Sequence, residues 1–521
     1  MPIFCLFHVL YKLKLLSPIG LFRLLTAIYQ YGINVMMLLK VAERMHGHKI
    51  ALVDDWETIT YHELFSQSEQ LSAMLKQAYG LASGKKVGIL CKNHASLVKA
   101  IFAASYTGAD IFLLNTEMSG KQLKQIAEAH DFDLLVHDVE LTVLTRQASY
   151  EKVTLLSYHD QLPAVNRLDA AFISEPRART YSSKINLLTG GTTGKAKKVA
   201  HKPSLFNYLP PFLALLNRLQ LQRYQTAYLA TPIYHGYGIA FLLLFIALGK
   251  QIVITSGFDA KKACNLIKKH RVEVITVVPL MIHKMLRHDA DSLQSLACIA
   301  SGGAELNPKL VAHVRSIVGA VLYNLYGTTE AGLNIIATPE DLHYSSKTLG
   351  RKIKGTHLHV LNDQKKKCRV GEIGEFCVKN KWSMRKRSRS WVETGDLGYR
   401  DEQGYYFLCG RVDDMVVSAG ENVYPIELEQ VLIQHSLVED VAVFGVSDEM
   451  FGQRLKAVVQ PVHHVALTEA ELRDWLRPQV ARYQMPKEIV FVDQISYTHL
   501  GKRDKKLLRS FPASENPYTP M

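Results

Sequence analysis

Short apolar runs and longer segments with helical spacing alternate along the first two thirds of the chain. The strand-like runs, rich in β-branched residues, are 86–90, 109–114, 251–254 and 274–278. The helical segments that follow two of them are 95–104 and 261–270. Alternation of this kind predicts an α/β fold, with mostly parallel sheets covered by helices on both faces.

The pattern changes after Gly371. Glycines, charged residues and short strands at 374–378 and 404–408 predict antiparallel sheet or a small β-barrel. A helix at 425–435 and a strand at 441–446 then predict a further strand–helix unit. We therefore predict a large N-terminal domain of two α/β lobes plus the barrel, and a C-terminal α+β domain. The expected segments are an N-terminal extension over 1–40, the domains over 41–410 and 411–510, and a disordered tail over 511–521.

The first forty residues are apolar but do not form one long span. Charges, prolines and glycines interrupt every run before the ~18–20 residues that a membrane helix needs, and no cleavable signal peptide is evident. Five residues recur at helical spacing, with Arg23 and Gln30 off their face: Leu16, Leu21, Leu24, Leu25 and Ile28. Two interpretations stay open, a helix packed on the protein body and an interfacial helix at a membrane surface.

Length and composition set wider bounds. A chain of 521 residues with 48% apolar and 21% charged residues is globular and predicts at least two domains. The formal charge of +14 fits a solvated basic surface, polyanionic small molecules, or a membrane surface. No zinc-finger spacing or RNA-binding signature supports nucleic acid. Seven scattered cysteines without a C-x-x-C pair predict reduced thiols in a cytoplasmic protein, with neither disulfides nor zinc.

The sharpest motif is a loop of glycine, threonine and lysine at 188–197, directly after the apolar strand 185–188. Glycines allow close approach of backbone N–H groups to a ligand, and lysines add positive charge, as in phosphate-binding loops. The Walker frame is absent, and a flexible surface turn is the alternative. The candidate phosphate-binding residues are Thr189, Gly190, Gly191, Thr192, Thr193, Gly194 and Lys197.

This loop resembles the phosphate-binding signature of adenylate-forming enzymes, T-[SG]-G-[TS]-T-G-x-P-K, with Ala196 in place of proline. That superfamily includes acyl-CoA synthetases, peptide-synthetase adenylation domains and luciferases. Its other motifs are matched in the same order by segments 301–305, 323–330, 394–398, 410–414, 418–425 and 501–502. Six matches in order make the resemblance highly specific, although each segment alone has an ordinary structural explanation.

The resemblance implies ATP, Mg²⁺ and coenzyme A as ligands. It implies that Tyr326 and Gly327 lie at adenine with a loop of Gly302, Gly303 and Ala304, and that Asp396 and Arg411 lie at the ribose. It further implies Mg²⁺ at Glu330, the α-phosphate at Thr329, and both the acyl carboxylate and the α-phosphate at Lys502. These residue types suit the roles, since carboxylates bind Mg²⁺ and a lysine neutralises charge as the anhydride forms.

The acyl side carries a weaker signal. Residues 231–238 resemble the family's P-x-x-H-x-x-G segment, which implies that His235 lies beside the acyl path; simple packing of this histidine is the alternative. No carboxylate occurs between 229 and 255, where amino-acid-activating members carry an aspartate. A carboxylic acid without an amine is therefore expected, and the apolar N-terminus favours a medium- or long-chain fatty acid.

The resemblance also implies a mobile C-terminal domain that turns about Asp413 and brings Gly420 and Glu421 to the coenzyme A side. The expected function is an ATP-dependent acyl-CoA ligase that works through an acyl-adenylate, cytoplasmic or peripheral at the inner membrane surface. The alternatives are an enzyme that loads a carrier protein and a catalytically silent binding protein. The family's G-Y motif is missing ahead of Thr394, where a basic interval at 379–389 is either solvated or contacts anionic ligands.

Overall fold

The computed structural model describes residues 2–13, 15–167, 183–189, 197–199, 205–383, 391–418, 421–449, 451–462, 467–498 and 501–511. The predicted disordered tail lies outside these ranges beyond Phe511. The helices are α1 (Pro2–Lys12), α2 (Pro18–Tyr31), α3 (Val35–His46), α4 (Tyr61–Gln77), α5 (Ala95–Thr107), α6 (Gly120–His130), α7 (Thr142–Gln147), α8 (Leu205–Arg218), α9 (Gly236–Ala247), α10 (Ala260–His270), α11 (Pro279–Asp289), α12 (Pro308–Ile317), α13 (Pro339–Tyr344), α14 (Pro425–Leu432), α15 (Glu469–Leu476) and α16 (Lys505–Arg509).

The strands are β1 (Ile50–Val53), β2 (Thr58–Thr60), β3 (Lys86–Leu90), β4 (Asp110–Leu113), β5 (Leu134–His137), β6 (Thr154–Leu156), β7 (Ile185–Thr189), β8 (Lys197–Val199), β9 (Thr226–Leu229), β10 (Gln251–Ile254), β11 (Val274–Val277), β12 (Cys298–Gly302), β13 (Leu322–Thr328), β14 (Gly332–Ala337), β15 (Thr348–Lys352), β16 (His357–Leu361), β17 (Gly374–Lys379), β18 (Val392–Arg400), β19 (Tyr406–Arg411), β20 (Val416–Ser418), β21 (Glu421–Val423), β22 (Val438–Asp448), β23 (Gly452–Pro461) and β24 (Glu488–Phe491).

The described strands form three sheets. The first has the order β6-β5-β3-β4-β7-β8 and is parallel up to its last pair. The second is mixed: β1, β10, β9, β11, β12 and β13 are parallel, and antiparallel strands extend it on both sides. Parallel strands buried on both faces explain the continuous apolar runs of the sequence, and the predicted α/β fold is confirmed.

The antiparallel unit predicted after Gly371 is present, in the order β16-β17-β18-β19, but it begins before that residue with β16. Strand β15 pairs with both β19 and β14 and so joins this unit to the second sheet. The third sheet, β21-β20-β23-β22 with β24 against β23, belongs to the C-terminal part of the chain. Its own apolar core includes Val443, Val459 and Leu472.

The N-terminal helices pack on the body of the protein. Helix α1 packs against α8, whereas α3 packs against α4, α5 and α9. Asn34 caps α3 by accepting a hydrogen bond from the Met37 N–H, and Arg44 of α3 donates to Gln30 Oε1 of α2 at 2.9 Å. These contacts hold α2 beside α3.

The predicted apolar stripe of this region is wrong in its details. Leu16 precedes α2, which begins at Pro18. Leu24 and Ile28 pack towards the main core, while Leu21 and Leu25 are exposed. The five residues therefore do not share one face, because α2 is apolar around most of its circumference.

Candidate active site

One large cavity of about 3010 Å³ lies at the carboxyl ends of the parallel strands of the second sheet. Thr231 follows β9, Val278 follows β11, and Gly302 ends β12; all three line it. Tyr326 and Thr328, at the end of β13, do the same. Ligands of open α/β sheets bind outside the carboxyl ends of the strands, so this cavity is the candidate site.

The cavity unites most of the predicted site residues that the structure describes. Those that line it are His235, Gly302, Gly303, Ala304, Tyr326, Gly327, Thr329, Glu330, Asp396, Arg411, Asp413 and Lys502. Glu421 lies exposed in β21 and is not part of this lining. Gly190, Gly191, Thr192, Thr193, Gly194 and Gly420 lie outside the described residues. Thr189 and Lys197 are register partners at the ends of β7 and β8, so the predicted phosphate loop connects two antiparallel strands.

Asp396 is held by two hydrogen bonds from different strands. The Tyr326 hydroxyl donates to Oδ2 at 2.6 Å, and Arg411 Nη1 donates to Oδ1 at 2.8 Å. Asp396 and Arg411 face each other across β18 and β19. Burial raises the pKa of Asp396, and the hydrogen bond from Tyr326 and the charge of Arg411 oppose that rise. The carboxylate is thus oriented towards the cavity as a hydrogen-bond acceptor.

Two glycines permit this arrangement. Gly395 has a φ of 72°, and a Cβ there would lie 2.8 Å from Arg411 Nη2. A Cβ on Gly327 would lie 2.5 Å from the Gly332 carbonyl oxygen. Any larger residue at either position would displace backbone or side chains that carry the site.

The C-terminal part of the chain supplies Lys502. The Lys502 N–H donates to Thr498 Oγ1 at 3.3 Å, while its carbonyl accepts from the Thr498 N–H at 2.7 Å. Gly501 has a φ of 71° and lies against Val278, where an added Cβ would be 2.5 Å from Cγ2. The positive charge of Lys502 opposes the rise in the pKa of Asp396, so Lys502 and the Asp396 carboxylate share one electrostatic environment.

Contacts across the cavity connect the C-terminal part to the rest of the chain. Lys309 Nζ donates to the carbonyl oxygens of His435 at 2.8 Å and Val438 at 3.0 Å. Gln430 Nε2 donates to Glu305 Oε1 at 3.2 Å. The surrounding protein, which displaces water from the Glu305 carboxyl group, and the nearby Glu429 raise the pKa of Glu305 to about 7. The residue nevertheless keeps an exposed surface in the cavity. The sequence does not predict these hydrogen bonds, because the two partners of each bond are more than a hundred residues apart in the chain.

A cluster of ion pairs and hydrogen bonds that the sequence did not predict stabilises the loop around Lys502. Arg503 donates to Glu429 Oε2 at 2.7 Å and to Asp440 Oδ1 at 3.0 Å. The hydroxyl of Tyr497 also bonds to Asp440. The sequence shows Arg503 only as one of several basic residues near 502–506, so its role as an anchor was not predicted.

The acyl-side segment 231–238 is fixed by a distant side chain. Asn93 donates to the Thr231 carbonyl at 3.0 Å and accepts from the Ile233 N–H at 2.8 Å. His235 precedes α9 and has its ring 4.6 Å from that of Tyr234. A Cβ on Gly238 would meet the Pro232 carbonyl oxygen at 2.1 Å, which explains the glycine in this motif. The segment therefore forms a rigid turn at the cavity wall.

The cavity has two chemically different halves. One half, which includes α11 and the C-terminal part of the chain, is lined by both cations and carboxylates, among them Lys284, Arg411, Lys502, Glu330, Asp396 and Glu429. Its other half is lined from α1 to α3, α8 and α9 and the short connections between α1, α2 and α3. Among the described lining residues of that half none carries a charged side chain; they include Leu10, Leu24, Met37, Val41, Phe212, Leu215, Ile239, Leu243 and Leu244. This half can accept an extended apolar group.

Metal-binding capacity in the described part of the chain is limited. The one group of three potential ligands there is Cys91, His94 and Asp138, which is buried away from the cavity lining. Its polar atoms are used internally: His94 Nε2 bonds to Asp138 Oδ1 at 2.8 Å, and Ser157 donates to the same oxygen at 2.6 Å. In the cavity, Glu330 offers one carboxylate, a ligand type that suits Mg²⁺.

Two family models match most of the chain. The family model described as AMP-binding enzyme matches residues 39–386, and that of the AMP-binding enzyme C-terminal domain matches 427–502. The chain belongs to the AMP-binding enzyme family. The adenylate-forming resemblance and the predicted class, an AMP-forming acid–thiol ligase, are thereby confirmed.

Relatives within the family have different acids in their names. The 2-succinylbenzoate–CoA ligase of Bacillus pumilus is 28% identical over 482 residues, which cover 89% of this chain and 95% of that protein. The fatty acid–[acyl-carrier-protein] ligase ScoC of Streptomyces coeruleorubidus is 26% identical over 481 residues, covering 88% and 92%. The structure of o-succinylbenzoate CoA synthetase from Bacillus subtilis with its acyl-adenylate shares the fold, with a TM-score of 0.79, 24% identity, and coverage of 92% and 99%.

The class of reaction is therefore established more firmly than the acid. ATP-dependent CoA ligation through an acyl-adenylate agrees with the family, whereas relatives such as those of Oceanobacillus iheyensis and Bacillus pumilus are named for 2-succinylbenzoate and not for the predicted fatty acid. No helix among the described residues is both long and apolar enough to cross a membrane.

Proposed function

We propose that the protein is an acyl-CoA ligase for hydrophobic monocarboxylic acids, of the medium- or long-chain fatty acid type. The observation that carries this proposal is the uncharged half of the cavity, where the walls from α1 to α3, α8 and α9 supply apolar side chains. The carboxyl group of such an acid would lie near Lys502, and its tail would occupy the apolar half.

The same lining argues against 2-succinylbenzoate, the acid of many relatives. That molecule has two carboxylates, so one remains charged after the other is activated. Burying an unpaired carboxylate costs several kcal/mol unless a cation or donors compensate it. Lys and Arg are absent from the described lining of the apolar half, so a second carboxylate would lack a partner there.

The proposed roles of the site residues follow from their placement. Asp396, oriented by Tyr326 and Arg411, binds the ribose hydroxyls of ATP. Thr329 and Lys502 contact the α-phosphate, and Lys502 also neutralises the acyl carboxylate as the anhydride forms. Glu330 helps to hold Mg²⁺ bound to the phosphates. His235 lies beside the acyl path, at the beginning of α9.

The second half-reaction requires a different placement of the C-terminal part. We assign the domains to 41–410 and 411–510, with Asp413 as the hinge between them and residues 1–40 as a separate helical layer. Asp413 lies in the turn Val412–Asp414, directly after β19. Rotation there would remove Lys502 and bring the Gly420 and Glu421 loop to the thiol path, as in enzymes that use one site for two steps.

A second candidate acceptor is an acyl carrier protein. The relative from Streptomyces coeruleorubidus carries that acceptor in its name and is similar over 88% of this chain. The adenylating residues would be the same for both acceptors. The acyl specificity proposed above does not depend on the choice.

A panel of acids tests the proposal. Octanoate, palmitate, benzoate and 2-succinylbenzoate are compared by ATP-dependent pyrophosphate release, and the thioester products with CoA and with an acyl carrier protein are identified by mass. We expect the fatty acids to give the highest kcat/KM and CoA to be the acceptor. A preference for 2-succinylbenzoate would contradict the acid assignment, and thioester on the carrier protein alone would contradict the acceptor.

A further inference from the structure

The outer side of the N-terminal helices exposes a group of large apolar residues. We name it the N-terminal apolar face; it comprises Phe7, Tyr11, Ile19, Phe22, Leu25, Tyr29 and Ile33. Each is more than half exposed, from 52% at Ile33 to 69% at Tyr29. Isolated exposed apolar residues are common on soluble proteins, but seven of them within residues 7–33, all on the N-terminal helices and their connections, indicate an interaction surface.

Helix α2 explains how the face arises. Ile19, Phe22, Leu25 and Tyr29 recur every three or four residues on its outer side. Leu24, Ala27 and Tyr31 point to the core on the opposite side. The helix is thus apolar on two sides, and folding of the described chain covers only one of them.

The segment of the sequence that carries this face has charges of one sign. The first acidic residue of the chain is Glu43, whereas four basic residues precede it: Lys12, Lys14, Arg23 and Lys40. A helical segment with exposed aromatic residues, whose own sequence holds cations and no carboxylates, is typical of segments that lie at the surface of anionic membranes. If the face bound a second protein chain instead, an excess of positive charge beside it would not be required.

The inner side of the same helices borders the cavity. Val9 and Leu10 of α1, Leu13, and Leu24 of α2 line its apolar half. Helix α1 packs directly against α8, which lines the same half with Tyr208, Phe212 and other residues. The layer formed by α1 and α2 therefore separates the outer apolar face from the acyl part of the cavity by one helix thickness.

We propose that the N-terminal apolar face docks on an anionic lipid bilayer, and that acyl chains pass from the bilayer past α1, α2 and α8 into the cavity. Docking places Phe22 and Tyr29 at the headgroup boundary, where aromatic side chains are favoured. The second part of the proposal rests on the proposed function, since it needs a hydrophobic acid as substrate. Docking itself does not depend on which acid is used.

The test uses the full-length protein with the double substitution Phe22→Ser, Leu25→Ser. The matched control is Val143→Ser, Leu162→Ser, which removes two apolar residues that are 59% and 53% exposed elsewhere on the surface. Co-sedimentation with vesicles of phosphatidylcholine and phosphatidylglycerol measures docking, and vesicles of phosphatidylcholine alone measure the contribution of charge. Melting temperature and molar mass in solution are measured on the same samples.

We expect the α2 variant to lose at least tenfold in vesicle partitioning without a lower melting temperature, while the control behaves like the parent protein. Palmitate supplied in vesicles should be activated at least fivefold more slowly, and soluble octanoate at the parent rate. Unchanged partitioning of the α2 variant would overturn docking. A parent dimer that this variant converts to a monomer, with no vesicle binding by either, would assign the face to a second copy of the chain instead.

The two proposals can fail separately. If the parent protein binds vesicles but activates no fatty acid, docking stands and the proposed acid is wrong. If palmitate activation is equal for the variant and the parent although vesicle binding is lost, the entry route is wrong while the acid assignment stands.

Discussion

Tyr326 and Asp396 are seventy positions apart in the chain, yet the Tyr326 hydroxyl lies 2.6 Å from Asp396 Oδ2 and donates a hydrogen bond to it. The phenol therefore orients the carboxylate, and the same tyrosine lines the cavity. Hydrogen bonds to charged groups contribute about 1.5–3 kcal/mol, so the position of the Asp396 carboxylate depends measurably on the Tyr326 hydroxyl.

Tyr326→Phe keeps the ring and removes this bond. We expect the KM for ATP to rise about tenfold, which corresponds to about 1.4 kcal/mol, with a smaller change in the KM for the acid. Steady-state pyrophosphate release measures both. The control is Tyr344→Phe, which removes a similar bond to Asp401 at 2.9 Å on the surface. Equal effects of the two substitutions would contradict the orienting role.

Lys502→Ala should abolish adenylation and largely spare transfer of a supplied acyl-adenylate to CoA. Removal of one such charge contact at a transition state typically costs about 10²–10³ in rate. Single-turnover assays of the two half-reactions separate the effects. Lys506→Ala, a neighbouring lysine that also lines the cavity, serves as control. If Lys502→Ala slowed both half-reactions equally, Lys502 would not have the assigned role.

Asp413→Pro should restrict rotation of the C-terminal part, because proline fixes φ near about −65° and lacks the N–H donor. Adenylation should persist while thioester formation falls at least tenfold. Asp413→Ala, which leaves the backbone free, is expected to retain both steps. Unchanged overall turnover of the proline variant would exclude a hinge at this residue.

Glu305→Gln tests how pH affects the contact between Glu305 and Gln430, which joins the C-terminal part to the rest of the chain. The pKa of Glu305 is raised to about 7 in the present arrangement, so this arrangement favours the protonated acid. Protonated Glu305 therefore stabilises this arrangement fully below the ordinary pKa of a glutamate, and the stabilisation is lost as the pH rises through about 7. We expect adenylation, relative to thioester formation, to decline from about pH 6 to 8.

The glutamine variant should flatten this pH dependence, since it resembles the protonated acid at every pH. Glu340→Gln, an exposed glutamate outside the cavity lining, should leave the profile unchanged. A slope that persists in Glu305→Gln would show that another group controls the contact.

Ala240→Trp should shorten the space for an acyl chain, because Ala240 lines the apolar half from α9. Each methylene excluded from an apolar site costs about 0.8 kcal/mol, or roughly a fourfold change in kcat/KM. We expect the preference to move from palmitate towards octanoate. Ala240→Ser, which adds little volume, is the control, and equal losses on both acids would place Ala240 outside the acyl path.

Parts of the fold that depend on local pattern were predictable from the sequence. The strand at 86–90 and the helix beginning at residue 95 are found as predicted, because both are buried in continuous apolar surroundings. The strand expected at 404–408 instead occupies Tyr406–Arg411. There the apolar residues do not mark the boundary, since pairing with β18 extends the strand as far as Arg411.

Long-range polar contacts were not predictable in the same way. The motifs indicated Asp396 and Tyr326 separately, but their hydrogen bond depends on how β13 and β18 approach each other. Asn93 supports the His235 segment from 138 positions away in the chain. The predicted N-terminal stripe was wrong for a related reason. In a helix that is apolar on two sides, the periodicity of the sequence cannot distinguish the packed side from the exposed side.

The contact made by Lys309 has an evolutionary consequence. Its ammonium group bonds only to main-chain oxygens of residues 435 and 438 among the contacts described above. Carbonyl oxygens are present whatever side chains occupy those positions, so relatives can exchange the residues there without losing the attachment. A change at position 309 has no such protection. Sequence drift should therefore be tolerated on one side of this junction and selected against on the other.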